Sequence, residues 1–407
     1  MERRAFLQNS VALAAGTLLP GGVMAAERGV EPGKEGKPTI KNYRALGKTS
    51  IKMSDISFGA GKLPSASMIL RAIDQGVNYF DTAPDYGNSE TLIGEAMGRI
   101  KQREKIFIAS KYCSANPYPG HLPVGASKDE YIAAVDGSLK RMNLEYLDVV
   151  FVHAIGEKST SLQEEERRLL DENMLAATDA LKKAGKVRHL AVSSHGPNNL
   201  EPLLGKAVES GHYDVIMTAF NFMKFPKLPE VLHKAADRGV GVIAMKTLAG
   251  AKEGNLDPAG AVFEHAAFRW VLQHPQVAGL VITIKTVDDL NLYVQASGTP
   301  FTAADQRALD HYVALYGQSY CRTGCGDCMG SCAQGVDIAN ILRYQMYFAD
   351  YGDEKRAMQN YAQLNNSSAA ACLTCTTPTC NGACHHALPV SAMLQAAHRS
   401  LTFTAVA

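Results

Sequence analysis

Residues 76–83 read GVNYFDTA and contain a short apolar run, Val77–Asp81, that ends in a charged residue. Seven further short apolar runs recur, with helical patterns between them: Ile56–Gly59, Ile106–Lys111, Leu147–His153, His189–Ser193, Val215–Phe220, Val242–Met245 and Leu280–Ile284. Short strands that alternate with helices indicate βα units and a parallel sheet. Eight such units within about 250 residues predict a closed (β/α)8 TIM barrel.

Helices are expected between these strands at Ala66–Gln75, Glu164–Ala184, Pro229–Arg238 and Val262–Gln273. A hairpin is expected ahead of the first unit, from Thr39 to Gly59. The alternative fold is a doubly wound open sheet, which binds dinucleotides on a Gly-x-Gly-x-x-Gly turn after a strand. No such turn follows any of the runs, so the closed barrel is favoured.

The first 26 residues have the pattern of a targeting segment. Arg3 and Arg4 begin a twin-arginine core, and a weakly apolar run follows from Val11 to Leu19. That run has about half of the ~20 apolar residues that a membrane-spanning helix needs. We therefore expect a signal segment at residues 1–26, a linker at 27–40, and a periplasmic or otherwise exported protein with no membrane span after signal removal.

The composition sets limits on the partners. The chain has 407 residues, of which 46% are hydrophobic, and a formal net charge of +1. A chain of this length can bury a large core. Its charge balance gives no reason to expect nucleic acid or an anionic membrane surface as a partner.

Polar residues end three successive strands of the predicted barrel. They are Asp81, Lys111 and His153, and Tyr86 follows Asp81 by five positions. Barrel enzymes place their catalytic groups at this end of the strands. Each residue alone could be a helix cap or a buried polar group with its own partners, but the four together form a candidate active site.

The residue types point to proton donation. A tyrosine has an unperturbed pKa of about 10, and a nearby ammonium such as Lys111 would lower the pKa of Tyr86. Asp81 could hold Lys111 charged and oriented, and His153 could donate a hydrogen bond to a substrate carbonyl. The site contains no nucleophile of its own and therefore needs a hydride donor.

These residues resemble the aldo-keto reductase superfamily over about Lys41 to Ala296. The matching segments are Tyr43–Thr49, Gly76–Ala83 and Tyr86–Glu90 with Gly94 beyond, together with Lys111 and His153. The resemblance implies a barrel at residues 41–299 and hydride transfer between NAD(P)H and a small carbonyl or alcohol substrate. It implies a catalytic tetrad of Asp81, Tyr86, Lys111 and His153, with Tyr86 as the proton donor.

The resemblance also implies residues that hold the nicotinamide cofactor, NADP or NAD. They are Ser193, Ser194, Met245, Lys246, Leu248, Lys285 and Thr286. Leu290 and Tyr293 lie where the family usually has the Arg and Asn of its 2′-phosphate pocket, so the choice between NAD and NADP stays open. Lys285 could equally be an ordinary solvated loop charge.

Eight of the nine cysteines form two groups of four near the end of the chain: Cys321, Cys325, Cys328, Cys332, and Cys372, Cys375, Cys380, Cys384. Thiolates at this spacing can converge on one metal centre, as in ferredoxin-type iron–sulfur sites. Structural zinc and disulfides are the alternatives. Disulfides need particular Cα separations, which close neighbours in a motif rarely offer. The ninth, Cys113, is interpreted as a packing residue in a strand.

The chain also resembles a branch of the superfamily that has an appended ferredoxin-like domain. The segments that carry this resemblance are Ala244–Gly250, Gly324–Met329 and Gly335–Ile338. It implies a mostly helical domain at residues 300–407 with one or two 4Fe-4S clusters. The crossed pattern of two-cluster ferredoxins would place Cys384 with Cys321, Cys325 and Cys328, and Cys332 with Cys372, Cys375 and Cys380. Helices are expected at Ala303–Tyr316, Ile338–Leu364 and Ser391–Leu401.

Two rival functions stay open. In the first, the barrel binds a nucleotide without turnover, and the clusters make the protein an electron-transfer or assembly component for a redox protein partner. In the second, the protein is a reductase whose tail is held by zinc. The presence of all four residues argues against the first function, because a site that no longer catalyses a reaction does not need all of them. The four are Asp81, Tyr86, Lys111 and His153.

Overall fold

The protein is described by a computed structural model that covers residues 37–115, 120–157, 161–196, 198–223, 225, 227–250, 261–322 and 325–402. The predicted signal segment at 1–26 and the linker as far as residue 36 lie outside the described residues. Among the helices that are described, none is long and apolar enough to cross a bilayer.

A two-stranded antiparallel hairpin, β1 (Tyr43–Ala45) and β2 (Lys52–Ser54), precedes the barrel, as the sequence predicts. Its turn contains Gly47 with a φ of +58°, and a Cβ there would lie 2.4 Å from the carbonyl oxygen of Gly239. Only glycine allows this close approach. The hairpin therefore packs directly on the barrel, with Leu46 fully buried.

The predicted closed barrel of eight parallel strands is confirmed. Its strands are β3 (Ile56–Gly59), β4 (Tyr79–Asp81), β5 (Phe107–Lys111), β6 (Leu147–Val152), β7 (Val187–Ser194), β8 (Val215–Ala219), β9 (Gly241–Met245) and β10 (Gly279–Thr283). Each strand pairs with the next, and β10 pairs with β3 to close the ring, with Leu280 opposite Ile56. The carboxyl ends of all eight strands therefore meet at one mouth.

Nine helices accompany the barrel strands in the described residues: α1 (Ala66–Asp74), α2 (Ser89–Met97), α3 (Lys128–Met142), α4 (Leu162–Leu169), α5 (Glu172–Lys183), α6 (Leu200–Ser210), α7 (Leu228–Arg238), α8 (Phe263–Leu272) and α9 (Val287–Val294). The helix predicted at Glu164–Ala184 is two helices. Asp171 separates them, because its side chain accepts hydrogen bonds from the backbone N–H groups of Asn173 and Met174 and so caps α5.

The tail is mostly helical, as predicted. Its helices are α10 (Ala303–Tyr316), α11 (Ile338–Ala349), α12 (Glu354–Ala362), α13 (Thr379–Ala383) and α14 (Val390–Leu401). The helix predicted at Ile338–Leu364 ends at Ala349 and restarts at Glu354. Gly352, between them, has a φ of +61°, in the left-handed region where a helix cannot continue.

The tail packs against the barrel through a shared apolar core. Phe263 of α8 stacks on Tyr312 of α10, with ring centroids 4.8 Å apart and an interplanar angle of 10°. The hydroxyl of Tyr312 donates to the carbonyl oxygen of Ala249 after β9, at 2.5 Å. Met223 belongs to the same buried cluster as the tail residue Ile341. The barrel and tail are thus joined by a buried contact surface.

Candidate active site

The parallel strands bring the predicted tetrad together at the barrel mouth. Asp81 is the last residue of β4, Lys111 is the last of β5, and His153 directly follows β6. These three strands are neighbours in the barrel, so their ends lie side by side. Tyr86 stands in the loop between β4 and α2, and its backbone N–H donates to the carbonyl oxygen of Ala83, which turns the loop back over the mouth.

Lys111 and Asp81 form a buried ion pair. The Nζ of Lys111 lies 2.7 Å and 2.8 Å from the two carboxylate oxygens of Asp81, and it donates to the carbonyl oxygen of Thr82 at 2.7 Å. Burial raises the pKa of Asp81, and the contact with Lys111 opposes that rise. The carboxylate therefore depends on Lys111 for its charge, as a buried ion does on its partner.

Tyr86 and His153 face each other across the mouth. The phenolic oxygen of Tyr86 lies 3.5 Å from Nε2 of His153, and the Nζ of Lys111 lies 5.2 Å from the centroid of the Tyr86 ring. A carbonyl oxygen placed beside both groups would meet two hydrogen-bond donors. This is the arrangement needed to polarise a carbonyl and to protonate its oxygen.

The direction of the Tyr86 pKa differs from the one expected from Lys111. The pKa is raised well above its usual value, first by burial and then by the carboxylates of Asp81 and Asp85. The charge of Arg356 lowers this pKa, but burial outweighs it. The phenol keeps its proton at neutral pH and is present as the donor form.

His153 is neutral at the pH where enzymes usually work. Burial lowers its pKa well below the usual range, and the charge of Lys111 lowers it further. The Sγ of Cys113 lies 3.1 Å from Nδ1 of His153. If the thiol donates to Nδ1, the ring proton must sit on Nε2, the nitrogen that faces Tyr86.

Cys113 is buried, as the packing interpretation expects, and it also contacts the candidate active site. Its thiol, Nδ1 of His153 and the carboxylate of Asp85 all lie within 4.8 Å of one another, a set of donors able to hold a metal ion. The carboxylate of Asp85 already accepts a hydrogen bond from the backbone N–H of Gly120 at 3.0 Å. We interpret the group as a hydrogen-bonded network that orients the His153 ring.

Replacement of Cys113 by alanine is expected to lower kcat for carbonyl reduction by about tenfold, the worth of one buried hydrogen bond. The physical reason is the loss of the contact that selects the Nε2–H form of His153. Cys113→Ser keeps a donor and is the matched control, expected to retain most of the activity. The test is steady-state kinetics on one aldehyde, and an alanine variant with parental kcat would contradict the role.

The hydroxyl groups of the two serines predicted to contact the cofactor both form hydrogen bonds with the protein backbone. The Oγ of Ser193 accepts a hydrogen bond from the backbone N–H of Ala154 at 2.9 Å. The Oγ of Ser194 donates to the carbonyl oxygen of Ile155 at 2.8 Å. Ala154 has a φ of +49°, so these bonds hold a strained turn directly after His153.

The other predicted cofactor residues lie at the ends of β9 and β10. Met245 ends β9 and packs against the apolar cluster inside the barrel, and Leu248 packs against the main core. The Nζ of Lys246 lies 5.1 Å and 4.9 Å from the ring centroids of Tyr347 and Tyr351. Two further residues, Lys285 and Thr286, lie before α9; their backbone N–H groups donate to Asp289, and Thr286 caps the helix.

The tail reaches the mouth with a buried ion pair that the sequence did not reveal. Arg343 of α11 lies 2.8 Å from the carboxylate of Glu157, and both side chains are only 5% exposed. It also donates to the carbonyl oxygen of Gly196 at 2.8 Å. The partners are far apart in sequence, and the only available signal was a charged residue within the apolar face of a predicted helix.

The thiols of the tail cysteines lie within electrostatic reach of one another, mostly in the sets that the crossed pattern expects, although Cys328 also senses Cys380 of the other set. The pKa of the Cys321 thiol is raised by burial and then by the thiols of Cys328, Cys325 and Cys384. Burial and the neighbouring thiols of Cys332, Cys380 and Cys375 raise the pKa of Cys372 to about 11. Cys384 thus lies near the first group and Cys332 near the second. All nine cysteines are in the described residues, and none forms a disulfide.

The sequence was compared with known protein families and with individual proteins. The sequence model described as "Aldo/keto reductase family" matches residues 62–262. The chain is 34% identical over 177 residues to a Melia azedarach 7-acetyl-epi-neemfruitin B aldo-keto reductase, covering 40% of this chain and 52% of that protein. It is 28% identical to an L-glyceraldehyde 3-phosphate reductase of Escherichia coli O157:H7, covering 51% of this chain and 61% of that protein.

These matches span about half to three fifths of the length of the curated relatives. Among solved structures, an aldo-keto reductase from Pseudomonas aeruginosa has the same fold, with a TM-score of 0.52 and 24% identity. The match covers 67% of this chain and 98% of that one. Over residues 62–262 the chain therefore matches the aldo/keto reductase family, and its closed barrel is the fold of the similar solved structure.

Proposed function

We propose that the protein is an oxidoreductase that transfers hydride between NAD(P)H and a small carbonyl or alcohol, with Tyr86 as the proton donor. The observation that carries this proposal is the pair of donors at the mouth, the Tyr86 hydroxyl 3.5 Å from Nε2 of His153. The relatives named as reductases support it.

The residues of the chain divide the work of carbonyl reduction. Tyr86 passes its phenolic proton to the substrate oxygen as negative charge develops there, while Nε2–H of His153 donates a hydrogen bond to the same oxygen. Lys111 then stabilises the phenolate, and Asp81 keeps the ammonium in place at 2.7 Å. Burial disfavours the phenolate, so the ammonium is needed once the proton has left.

A nicotinamide cofactor, when bound, supplies the hydride. The residues at the end of β9 fit a polar ligand, because the hydroxyl of Thr247 is buried and has no hydrogen-bond partner among the described residues. Lys246 and Lys285 offer the positive charges that phosphate groups require. These residues would hold the cofactor against the mouth.

Isotope transfer tests the reaction. The protein is mixed with stoichiometric NADPH or NADH that carries deuterium at the reactive carbon, together with a small aldehyde. We expect one deuterium at the carbinol carbon of the product for each cofactor oxidised. Cofactor oxidation without deuterium in the product would contradict direct hydride transfer.

We also propose that the tail holds one or two 4Fe-4S clusters. The ferredoxin-like spacing of the two groups of four cysteines favours iron–sulfur clusters over zinc. An external redox protein would be a suitable partner for them.

Single cysteine variants are expected to lose iron in a crossed pattern. Cys384→Ser should remove the same cluster signal as Cys321→Ser, and Cys332→Ser should match Cys372→Ser, because each pair shares a quartet. The measurements are iron and sulfide content and electron paramagnetic resonance of the reduced, anaerobically purified protein. Ser400→Ala, on α14, is the control. If Cys384→Ser instead matched Cys372→Ser, the crossed pairing would be excluded.

Export is proposed from the sequence alone. Arg3 and Arg4 stand at the start of the predicted signal segment, and the twin-arginine route carries folded proteins whose cofactors are already inserted. Cell fractionation of the native chain and of the Arg3→Lys, Arg4→Lys double variant tests this. Equal amounts of both in the periplasm would contradict it.

A further inference from the structure

Three cations gather on one pair of tyrosines at the barrel mouth. The rings of Tyr347 and Tyr351 stack with centroids 5.8 Å apart and an interplanar angle of 26°. The Nζ of Lys246 lies 4.9 Å from the Tyr351 ring, and the guanidinium of Arg356 lies 4.9 Å from the Tyr347 ring. The Nζ of Lys62 donates to the carbonyl oxygen of Tyr351 at 3.2 Å. We call Lys62, Lys246 and Arg356 the mouth cations.

The mouth cations come from three separate parts of the fold. Lys62 lies between β3 and α1, Lys246 follows β9, and Arg356 is on α12 of the tail. Lys246 has a φ of +57°, which is uncommon for a residue with a side chain, and its carbonyl oxygen accepts a hydrogen bond from Asn221 at 2.8 Å. The strained backbone at Lys246 thus places its ammonium at the mouth.

Positive charge exceeds negative charge in this cluster. The pKa of Lys62 is lowered by burial and by the charges of Lys285, Arg356 and Lys246, while Asp353 opposes the change. Asp353 itself lies 3.4 Å from Arg356, and both side chains are about one third exposed, at 28% and 30%. Among the described residues, Asp353 and Asp85 are the carboxylates within reach of this cluster, against the four cations Lys62, Lys246, Lys285 and Arg356, so the cluster attracts an anion.

Arg356 acts on the catalytic residues themselves. Its charge lowers the pKa of Tyr86 and of Asp85, against the upward effect of burial. The guanidinium is therefore within electrostatic reach of the phenol that protonates the substrate. One small molecule could therefore place its anionic group at Arg356 and its carbonyl at Tyr86.

We propose that Arg356, assisted by Lys62, binds the carboxylate or phosphate group of the substrate, so that the protein acts on small carbonyl compounds with an anionic group. This inference rests on the proposed carbonyl reduction. It makes the tail a part of the substrate site, since Arg356 lies on α12. Arginine suits this role because its planar group binds carboxylates and phosphates with two parallel hydrogen bonds.

The same chemistry could serve a phosphate of the cofactor, so the experiment separates the two sources. The substrates are an aldehyde with a terminal carboxylate and the carboxamide of the same length. Arg356→Gln is compared with the parent, with Arg356→Lys, and with the control Lys234→Gln, whose partner is Glu209 on the barrel surface.

The parent is expected to prefer the carboxylate aldehyde in kcat/KM. Arg356→Gln should reduce this preference by roughly 10- to 100-fold, as expected for the loss of a hydrogen bond to a charged group. Arg356→Lys should keep part of the preference, and Lys234→Gln should keep all of it. A preference that is unchanged in Arg356→Gln overturns the inference.

Two binding measurements complete the test. The affinity of NADPH, measured by fluorescence, should be similar in Arg356→Gln and the parent; a tenfold loss with no change in substrate preference would assign the anion to the cofactor and overturn the inference. Calorimetry with a non-reactive dicarboxylate covers the case in which the parent reduces neither aldehyde. If the parent binds the dicarboxylate and Arg356→Gln does not, the anion site is supported although the proposed reduction fails. If the parent does not bind the dicarboxylate, both the anion site and the proposed reduction are overturned.

Discussion

Replacement of Tyr86 by phenylalanine is expected to lower kcat for carbonyl reduction by ~10²–10⁴-fold, the usual worth of a positioned general acid. Phenylalanine keeps the ring and removes only the hydroxyl that lies 3.5 Å from Nε2 of His153. The fold should be unaffected, because Tyr86 is only partly buried at the mouth. Steady-state kinetics and far-ultraviolet circular dichroism measure the two effects.

The matched control is Tyr146→Phe. Tyr146 directly precedes β6, at the opposite end of the barrel, where its ring contacts Arg103 and Arg188. This variant should keep parental kcat. If Tyr86→Phe instead turned over a substrate at a near-normal rate, the assignment of the proton donor would be wrong.

Replacement of Lys111 by methionine should damage both stability and catalysis. It leaves the carboxylate of Asp81 buried without its partner, and breaking a buried pair in this way costs about 3–5 kcal/mol of unfolding free energy. It also removes the charge that stabilises the Tyr86 phenolate, so kcat for reduction should fall, and the high-pH limb of the pH–rate profile should move to higher pH because the phenol keeps its proton longer. A pH–rate profile identical to that of the parent would show that Lys111 does not tune Tyr86.

The loss of stability in Lys111→Met should depend on pH. Burial raises the pKa of Asp81 in the folded state, and the variant loses the charge and the hydrogen bond of Lys111 that oppose this rise. A raised folded pKa means that the native state holds its proton longer than the unfolded state, so stability decreases as pH rises above the unfolded pKa of about 3.9. The deficit against the parent should be small in acid and larger near neutrality.

Urea unfolding at acidic and neutral pH measures this deficit. The double variant Asp81→Asn, Lys111→Met removes the buried charge as well, so it should recover most of the lost stability. It should not recover activity, because the phenolate still lacks its cation. Recovery of activity in the double variant would contradict the role of Lys111.

The strands could be predicted because their signal is local. Each apolar run is short and either ends in a polar or turn residue or is followed directly by one, and every predicted barrel strand lies within two residues of the observed bounds. The positions of Asp81, Lys111 and His153 at strand ends then followed from the parallel topology. The break between α4 and α5 was missed, since a helical periodicity continues through Asp171, and only the capping hydrogen bonds show that a new helix begins there.

The rest of the site depends on contacts that no local pattern encodes. Arg343 meets Glu157, and Arg356 approaches Tyr86, only because the tail folds over the mouth. The direction of the Tyr86 pKa was misjudged for a related reason. The sequence predicts that Lys111 lies near Tyr86, but only the structure shows that burial has the largest effect on the pKa of Tyr86.

The apolar seam between barrel and tail has a consequence for how the chain can be shortened. Phe263 and Met223 are at most 2% exposed, and they share one buried cluster with Tyr312 and Ile341. A chain that stopped near Pro300 would expose these barrel side chains to water and would tend to aggregate. It would also lack Arg343 and Arg356. During synthesis, the ribosome must therefore deliver most of the polypeptide before the mouth of this barrel can be completed.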